Sequence, residues 1–126
     1  MPKILVVDDH ADIRRLAEVI LKHEGWDVIT AEDGREALQK AEEEVPDLII
    51  LDIMMPLMDG MEVLRQLGYS RVTRRIPVIM LTAKSDFRDV SSARELGVRD
   101  YIVKPIDPKR LVASVRKALR LPPPQG

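Results

Sequence analysis

At 126 residues, with 45% hydrophobic and 33% charged side chains, the chain suits one domain with a sizeable core that needs neither a metal nor a disulfide to fold. A net charge of −1 with intermixed signs leaves no basic footprint for nucleic acid, and no apolar run is long enough to span a bilayer. The absence of cysteine excludes disulfides, thiolate metal sites and thiol nucleophiles.

Met1-Pro2-Lys3 leads almost directly into patterned sequence, with no apolar stretch or cleavage site of a signal peptide, so a cytoplasmic location is the expectation. Ile4-Leu5-Val6-Val7 is then a continuous run of β-formers, which predicts a strand covered on both faces. Ile13, Leu16, Ala17, Ile20 and Leu21 follow at helical spacing on one stripe, closed by Gly25 at the position past the helix end. Residues 26–31 are broken by polar side chains and predict an edge strand. Asp33 and Glu36 have the spacing of a capping box that opens a second helix. Leu48-Ile49-Ile50-Leu51 is the second continuous run, and Gly60, Val63, Leu64 and Leu67 predict a third helix closed by Gly68. After Val78-Ile79-Met80-Leu81 comes a weak fourth helix over residues 86–96. Only Val90, Ala93 and Leu96 could be buried there, and Gly97 closes it. A segment so poorly anchored is the one expected to shift when the protein switches. A second edge strand over 100–103 precedes Asp107-Pro108, an N-cap with proline at the first helical position, and a fifth helix carrying Leu111, Val112, Val115 and Leu119. The expected domain covers residues 1–121, and the proline-rich residues 122–126 suit a stiff tail or the start of a linker.

Strand and helix alternate five times, which demands a parallel sheet with right-handed crossovers. With strands 1, 3 and 4 central, the simplest order is 2-1-3-4-5. That is a flavodoxin-like, doubly wound (βα)5 fold of the α/β class, with its ligand crevice between strands 1 and 3. Asp8-Asp9 follows strand 1, Asp52 strand 3, Thr82 strand 4 and Lys104 strand 5, so all five project at one end of the sheet. Three carboxylates in one crevice repel one another, and Lys104 alone cannot balance them. A hard divalent cation, Mg²⁺ above all, suits such an oxygen-rich site. A cation beside a lysine and a hydroxyl can hold the oxygens of a transferring phosphoryl group, and a carboxylate can attack phosphorus. Asp52, central in the sheet, is the best nucleophile among the acids.

Asp8-Asp9, Leu51-Asp52-Ile53-Met54-Met55-Pro56, Asp59-Gly60, Leu81-Thr82-Ala83, and Tyr101 ahead of Lys104-Pro105 occur in the order found in receiver domains of two-component response regulators. The chain resembles that family from about residue 3 to residue 121. The resemblance implies that Asp52 accepts a phosphoryl group from a histidine kinase or phosphotransfer protein. It places Mg²⁺, or Mn²⁺ in its stead, on Asp9, Asp52 and the Met54 backbone carbonyl, with Asp8 acting through water. It also implies that Lys104, the Thr82 hydroxyl and the Ala83 backbone N–H hold the phosphate, that Tyr101 turns inward as Thr82 moves, and that the Lys104–Pro105 bond is cis. The switching surface would be the face of the fourth helix, fifth strand and fifth helix. A downstream protein or output domain would read it, with a phosphorylation-dependent homodimer as a further arrangement. Kinase docking would use the first helix and the loop near residues 105–107. Direct binding to nucleic acid or membrane is not implied for this domain, and it is a signalling acceptor rather than an enzyme.

Ordinary readings compete at several of these positions. Asp8-Asp9 could cap the first helix, Asp59 is best read as the cap of the third, and His10 as an exposed residue at a helix start. Met54, Met55 and Met58 suit loop packing better than metal ligation, since thioethers match a hard cation poorly. Met54 and Lys84 occupy the two positions that tune phosphate loss in the family, and an apolar Met54 cannot orient an attacking water, so a long-lived phosphoryl state is expected. Arg99, Arg110 and Ser114 break the charge pattern by which receivers joined to winged-helix domains pair. Three rival readings make different demands on the sequence. An aspartate-nucleophile phosphatase needs an acid at position 54, a flavodoxin-like electron carrier needs a hydroxyl- or glycine-rich loop after strand 1, and a degenerate receiver would bind protein without phosphate.

Overall fold

The computed structural model describes residues 1–83 and 94–122. Five strands, β1 (Lys3–Val7), β2 (Asp27–Ala31), β3 (Leu48–Asp52), β4 (Val78–Thr82) and β5 (Asp100–Val103), form one parallel sheet in the order β2-β1-β3-β4-β5. β3 and β4 are buried at all five positions and β1 at four, whereas β2 is mostly half-buried and β5 buries only Ile102. The continuous apolar runs are therefore the central strands and the interrupted ones the edges.

Four described helices cover the sheet. α2 (Gly34–Glu44) and α3 (Gly60–Tyr69) close one face over Leu5, Val7, Ile49, Leu51 and Met80. α1 (Ala11–His23) and α4 (Pro108–Ala118) close the other over Ile4, Val6, Ile50, Ile79 and Leu81. Successive strand residues face opposite sides, so each central strand feeds both cores. The Asp33 carboxylate accepts the Glu36 N–H, and Gly25 and Gly97 adopt the left-handed conformation, all as the sequence predicts.

Three expectations fail. Leu16 is 42% exposed, because α1 centres its buried stripe on Ala17 and Leu21 and Leu16 lies a 100° turn away from Ala17. Gly68 does not close α3, which runs on to Tyr69; the buried Thr73 hydroxyl instead donates to the Leu67 carbonyl at 2.7 Å and satisfies that helix end. Leu96 is 45% exposed, and Val98 supplies the contact to the α2/α3 core. The rest of the expected fourth helix, Lys84 and residues 123–126 lie outside the described residues. Among the described residues, no helix is long and apolar enough to cross a membrane.

Candidate functional site

Register fixes the site before any side chain is considered. Val7 pairs with Leu51, so the next residues, Asp8 and Asp52, stand side by side at the strand ends. Asp52 pairs with Leu81 and Thr82 with Val103, which brings Thr82 and then Lys104 to the same end. Asp8, Asp52 and Thr82 are all at most 3% exposed, an unusual set of polar groups to bury together.

The end of β3 is held by its backbone. Ile53 N–H donates to the Leu81 carbonyl at 3.1 Å, and Gly60 N–H donates to the Ile53 carbonyl at 2.8 Å. A Cβ on Gly60 would lie 2.2 Å from the Asp52 carbonyl oxygen, so only glycine lets α3 begin this close to the strand. Asp59, immediately before it, caps α3 by accepting the Glu62 N–H at 3.0 Å, which is the role the ordinary reading assigned it.

Lys104 bridges the acids, with Nζ 2.9 Å from Asp8 Oδ2 and 3.3 Å from Asp52 Oδ1. Asp52 Oδ1 also accepts the Met54 N–H at 3.3 Å, while Oδ2 has no hydrogen-bond partner among the described residues. Burial and then repulsion by Asp8 push the Asp52 carboxyl up to about 7; Lys104 and the Met54 N–H offset this only in part. Burial pulls Lys104 down, but its contacts with Asp8 and Asp52 more than compensate and leave it above its ordinary value. A permanent ammonium thus faces a carboxyl group poised near neutrality.

Asp9 is partly exposed beside this pair. The His10 backbone N–H donates to Asp8 Oδ1 at 2.9 Å, and its Nδ1 lies 3.2 Å from Asp8 Oδ1 and 3.3 Å from Asp9 Oδ1. The N-cap position of α1 is His10, whose own side chain makes no capping bond, while the Asp8 carboxylate accepts the His10 N–H just ahead of the first helical residue; Asp8 thus supports the helix start as well as lining the pocket. Asp8, Asp9, His10 and Asp52 each offer one ligand atom within 4.8 Å of the others. The unpartnered, buried Asp52 Oδ2 and this oxygen-rich donor set fit a hard divalent cation.

The remaining expected residues take varied places. The Thr82 hydroxyl donates to the Ala83 carbonyl at 3.0 Å, and Lys104 N–H donates to the Thr82 carbonyl at 2.8 Å. The Lys104–Pro105 bond is cis. Tyr101 is half-buried in β5 against the α2/α3 core, with the Arg94 guanidinium 5.8 Å from its ring centroid. The Met54 side chain is more than half exposed, while Met55 is buried and Met58 packs against the α2/α3 core, as loop packing requires. His10 is an exposed residue at the start of α1, as expected, and its ring nitrogen also lies against Asp8 and Asp9. The close approach at Gly60 is the contribution that the helical stripe does not reveal, its place directly after a cap residue being the available signal.

A doubly wound parallel sheet with paired acids, a hydroxyl and a lysine at one end of its strands defines a domain whose polar groups converge at its topological switch point, where open α/β sheets form their ligand crevice. Residues 4–116 match the family model of the response regulator receiver domain, and the chain belongs to that family. Among curated proteins it is 49% identical over 118 residues to the alkaline phosphatase synthesis transcriptional regulatory protein PhoP of Bacillus subtilis, covering 94% of this chain and 48% of that protein. It is 46% identical to the DNA-binding response regulator MtrA of Mycolicibacterium paratuberculosis, covering 94% and 51%. The chain therefore spans about half the length of the curated relatives it matches. Among solved structures it resembles a response regulator from Chloroflexus aurantiacus (TM-score 0.89, 33% identity, 94% and 98% covered). It likewise resembles the chemotaxis protein CheY4 of Vibrio cholerae (TM-score 0.88, 34% identity, 94% and 98% covered). The chain is a response regulator receiver domain of the two-component type.

Proposed function

We propose that Asp52 is the phosphoacceptor of this receiver. The observation that carries the reading is the state of its carboxylate: buried, raised to about 7, one oxygen fixed by Lys104 and the Met54 N–H, the other without a partner among the described residues. The free oxygen forms the new O–P bond as the N–P bond of a phosphohistidine donor breaks, and the imidazole nitrogen leaves with the electron pair. Asp9, Asp52 and the Met54 backbone carbonyl would hold Mg²⁺, with Mn²⁺ as a substitute and Asp8 acting through water. The ion would neutralise the acids and draw the negatively charged phosphoryl group in. Lys104 shifts from bridging two carboxylates to pairing with a phosphoryl oxygen. The Thr82 hydroxyl gives up the Ala83 carbonyl to donate to another, beside the Ala83 N–H, and Tyr101 turns inward in response.

The partner for phosphoryl transfer is a histidine kinase or phosphotransfer protein, and the altered face of the fourth expected helix, β5 and α4 is read by a downstream protein or output domain. Residues 1–121 act as the receiver unit and residues 122–126 as tail or linker, in the cytoplasm, with no catalytic turnover beyond the domain's own phosphoryl gain and loss. Pairing through the charge ladder of winged-helix regulators is disfavoured, because Arg110 and Ser114 are both engaged with Asp100 inside the chain. A phosphorylation-dependent homodimer would use other contacts. Met54 at the acid/base position weighs against the phosphatase reading.

Incubation with Mg²⁺ and acetyl phosphate, followed by intact mass measurement, tests the assignment. Wild type gains one phosphoryl group and Asp52→Asn gains none; a wild type that gains nothing, or a variant that gains as much, overturns it.

A further inference from the structure

The nitrogen at the rim of the pocket is absent from the arrangement proposed above. We infer that His10 is a metal ligand in waiting, which makes this pocket a mixed nitrogen and oxygen site for borderline first-row transition ions such as Co²⁺ and Ni²⁺. The inference rests on the same metal pocket as the proposed function but concerns which ions it takes.

Three observations support it. His10 Nδ1 lies 3.2 and 3.3 Å from carboxylate oxygens of Asp8 and Asp9, and it falls with Asp8, Asp9 and Asp52 in a group whose ligand atoms are all within 4.8 Å. The pocket also contains the Asp52 Oδ2 that no donor among the described residues satisfies, in a residue only 2% exposed, a buried acceptor without a bond and so more than the mere presence of acids. The His10 backbone N–H is tied to Asp8 Oδ1 at 2.9 Å, so the ring is anchored at the rim while its side chain remains 62% exposed. An exposed ring can carry its proton on the outer nitrogen and leave the lone pair of Nδ1 for a metal, without the desolvation cost of a buried one.

The chemistry separates two classes of ion. Mg²⁺ prefers oxygen, keeps several waters and gains little from an imidazole. Co²⁺ and Ni²⁺ bind imidazole well and lie higher in the stability order for mixed donor sets, so exchanging one water for His10 favours them selectively. Asp8 and Asp9 beside the ring would then be neighbouring ligands, and the metal would take the place of the contacts Nδ1 makes with their oxygens in the metal-free site.

Calorimetric titration with Mg²⁺ and with Co²⁺, on wild type, His10→Ala and His10→Gln, tests this through the ratio of the two affinities. The Co²⁺ to Mg²⁺ ratio is expected to fall about tenfold in both variants, the scale on which even residues beyond the ligands change metal affinity. The wild-type Co²⁺ complex should also show a paramagnetically shifted, solvent-exchangeable imidazole N–H proton that His10→Ala lacks. An unchanged ratio, a wild type with no Co²⁺ isotherm, or no such resonance overturns the inference. The phosphoacceptor reading is judged apart, by phosphoryl uptake of wild type in Mg²⁺. Uptake with an unchanged ratio removes the role of His10 alone, whereas a falling ratio without uptake removes the phosphoacceptor reading alone.

Discussion

Asp52 closes β3 and Asp100 opens β5, the two strands that flank β4, and the protein treats these two aspartates in opposite ways. Burial raises the cost of charge at both. At Asp100 four donors answer it: Arg110 Nη1 and Nη2 at 2.8 and 3.0 Å, the Ser114 hydroxyl at 2.6 Å and the Tyr101 N–H at 2.8 Å. Those bonds overcome the burial and hold its carboxyl down at about 2. At Asp52 the only donors among the described residues are Lys104, shared with Asp8, and a long bond from Met54 N–H, so burial, reinforced by repulsion from Asp8, wins and the carboxyl rises to about 7. A fully bonded carboxylate is a structural pin. An under-bonded one is held ready for ligands the fold does not itself supply.

The largest effect that can break this contrast is at Asp52. In chelator-treated protein at pH 8, Asp52→Asn should raise stability, by up to about 4 kcal/mol if the whole shift from its ordinary value near 4 is realised. The sign follows from the raised value: the stability of the neutral carboxyl is complete below about pH 4 and is lost as pH rises through about 7. The variant's advantage should therefore shrink on acidification, and thermal denaturation at pH 8 and pH 5 measures it. Equal melting temperatures at pH 8 would mean that Asp52 carries no stored repulsion.

Next comes the backbone beneath the acid. Gly60→Ala forces a methyl to within 2.2 Å of the Asp52 carbonyl oxygen and should cost about 1–3 kcal/mol, with slower phosphoryl uptake as α3 and the end of β3 separate. Chemical denaturation and a timed acetyl phosphate reaction read both.

Asp100→Asn should cost less, about 1 kcal/mol after solvent screening, because the Asp100–Arg110 pair is partly exposed. Here the sign is reversed. The contribution of a depressed carboxyl is present above about pH 4 and disappears as pH falls through about 2, so the variant and wild type should converge in acid. Phosphoryl uptake should survive this change, since the bonds of Asp100 among the described residues run to Tyr101, Arg110 and Ser114 and not to Asp8, Asp52, Thr82 or Lys104.

The smallest expected effect is kinetic. Met54→Asn places a polar group where the more than half exposed Met54 cannot orient water, and should speed phosphoryl loss a few-fold, equivalent to about 1 kcal/mol or less in the barrier. The decay of phosphorylated protein after donor removal reads it, and an equal or slower rate in the variant would contradict the role given to Met54.

The contrast between the two aspartates also marks what the sequence could and could not convey. Uninterrupted apolar runs and their polar-broken counterparts disclosed the sheet order, and that order alone brought Asp8, Asp52, Thr82 and Lys104 to one end. The Asp100 cluster was not legible, because Arg110 and Ser114 reach it across a strand-to-helix connection with no periodic signature. Gly68 misled because a glycine after an apolar stripe looks like a helix end, whereas the true closure comes from Thr73, a residue outside the helix. Leu16 fits a helical period but lies where the stripe of α1 has already turned from the core, and Leu96 sits in a turn rather than on a helix. Gly60 owes its importance to Asp52 and Ile53, brought close only by folding, whereas the acids beside His10 precede it directly in the sequence.

The most direct measurement is a carboxyl ¹³C NMR titration of protein labelled at aspartate, first with chelator and then with Mg²⁺. The account expects Asp52 to titrate near 7 without metal and to move sharply downward when Mg²⁺ is added, while Asp100 titrates near 2 in both conditions. An Asp52 carboxyl that titrates near 4 and does not respond to Mg²⁺ would contradict the claim that this residue is held under-bonded for a cation and a phosphoryl group.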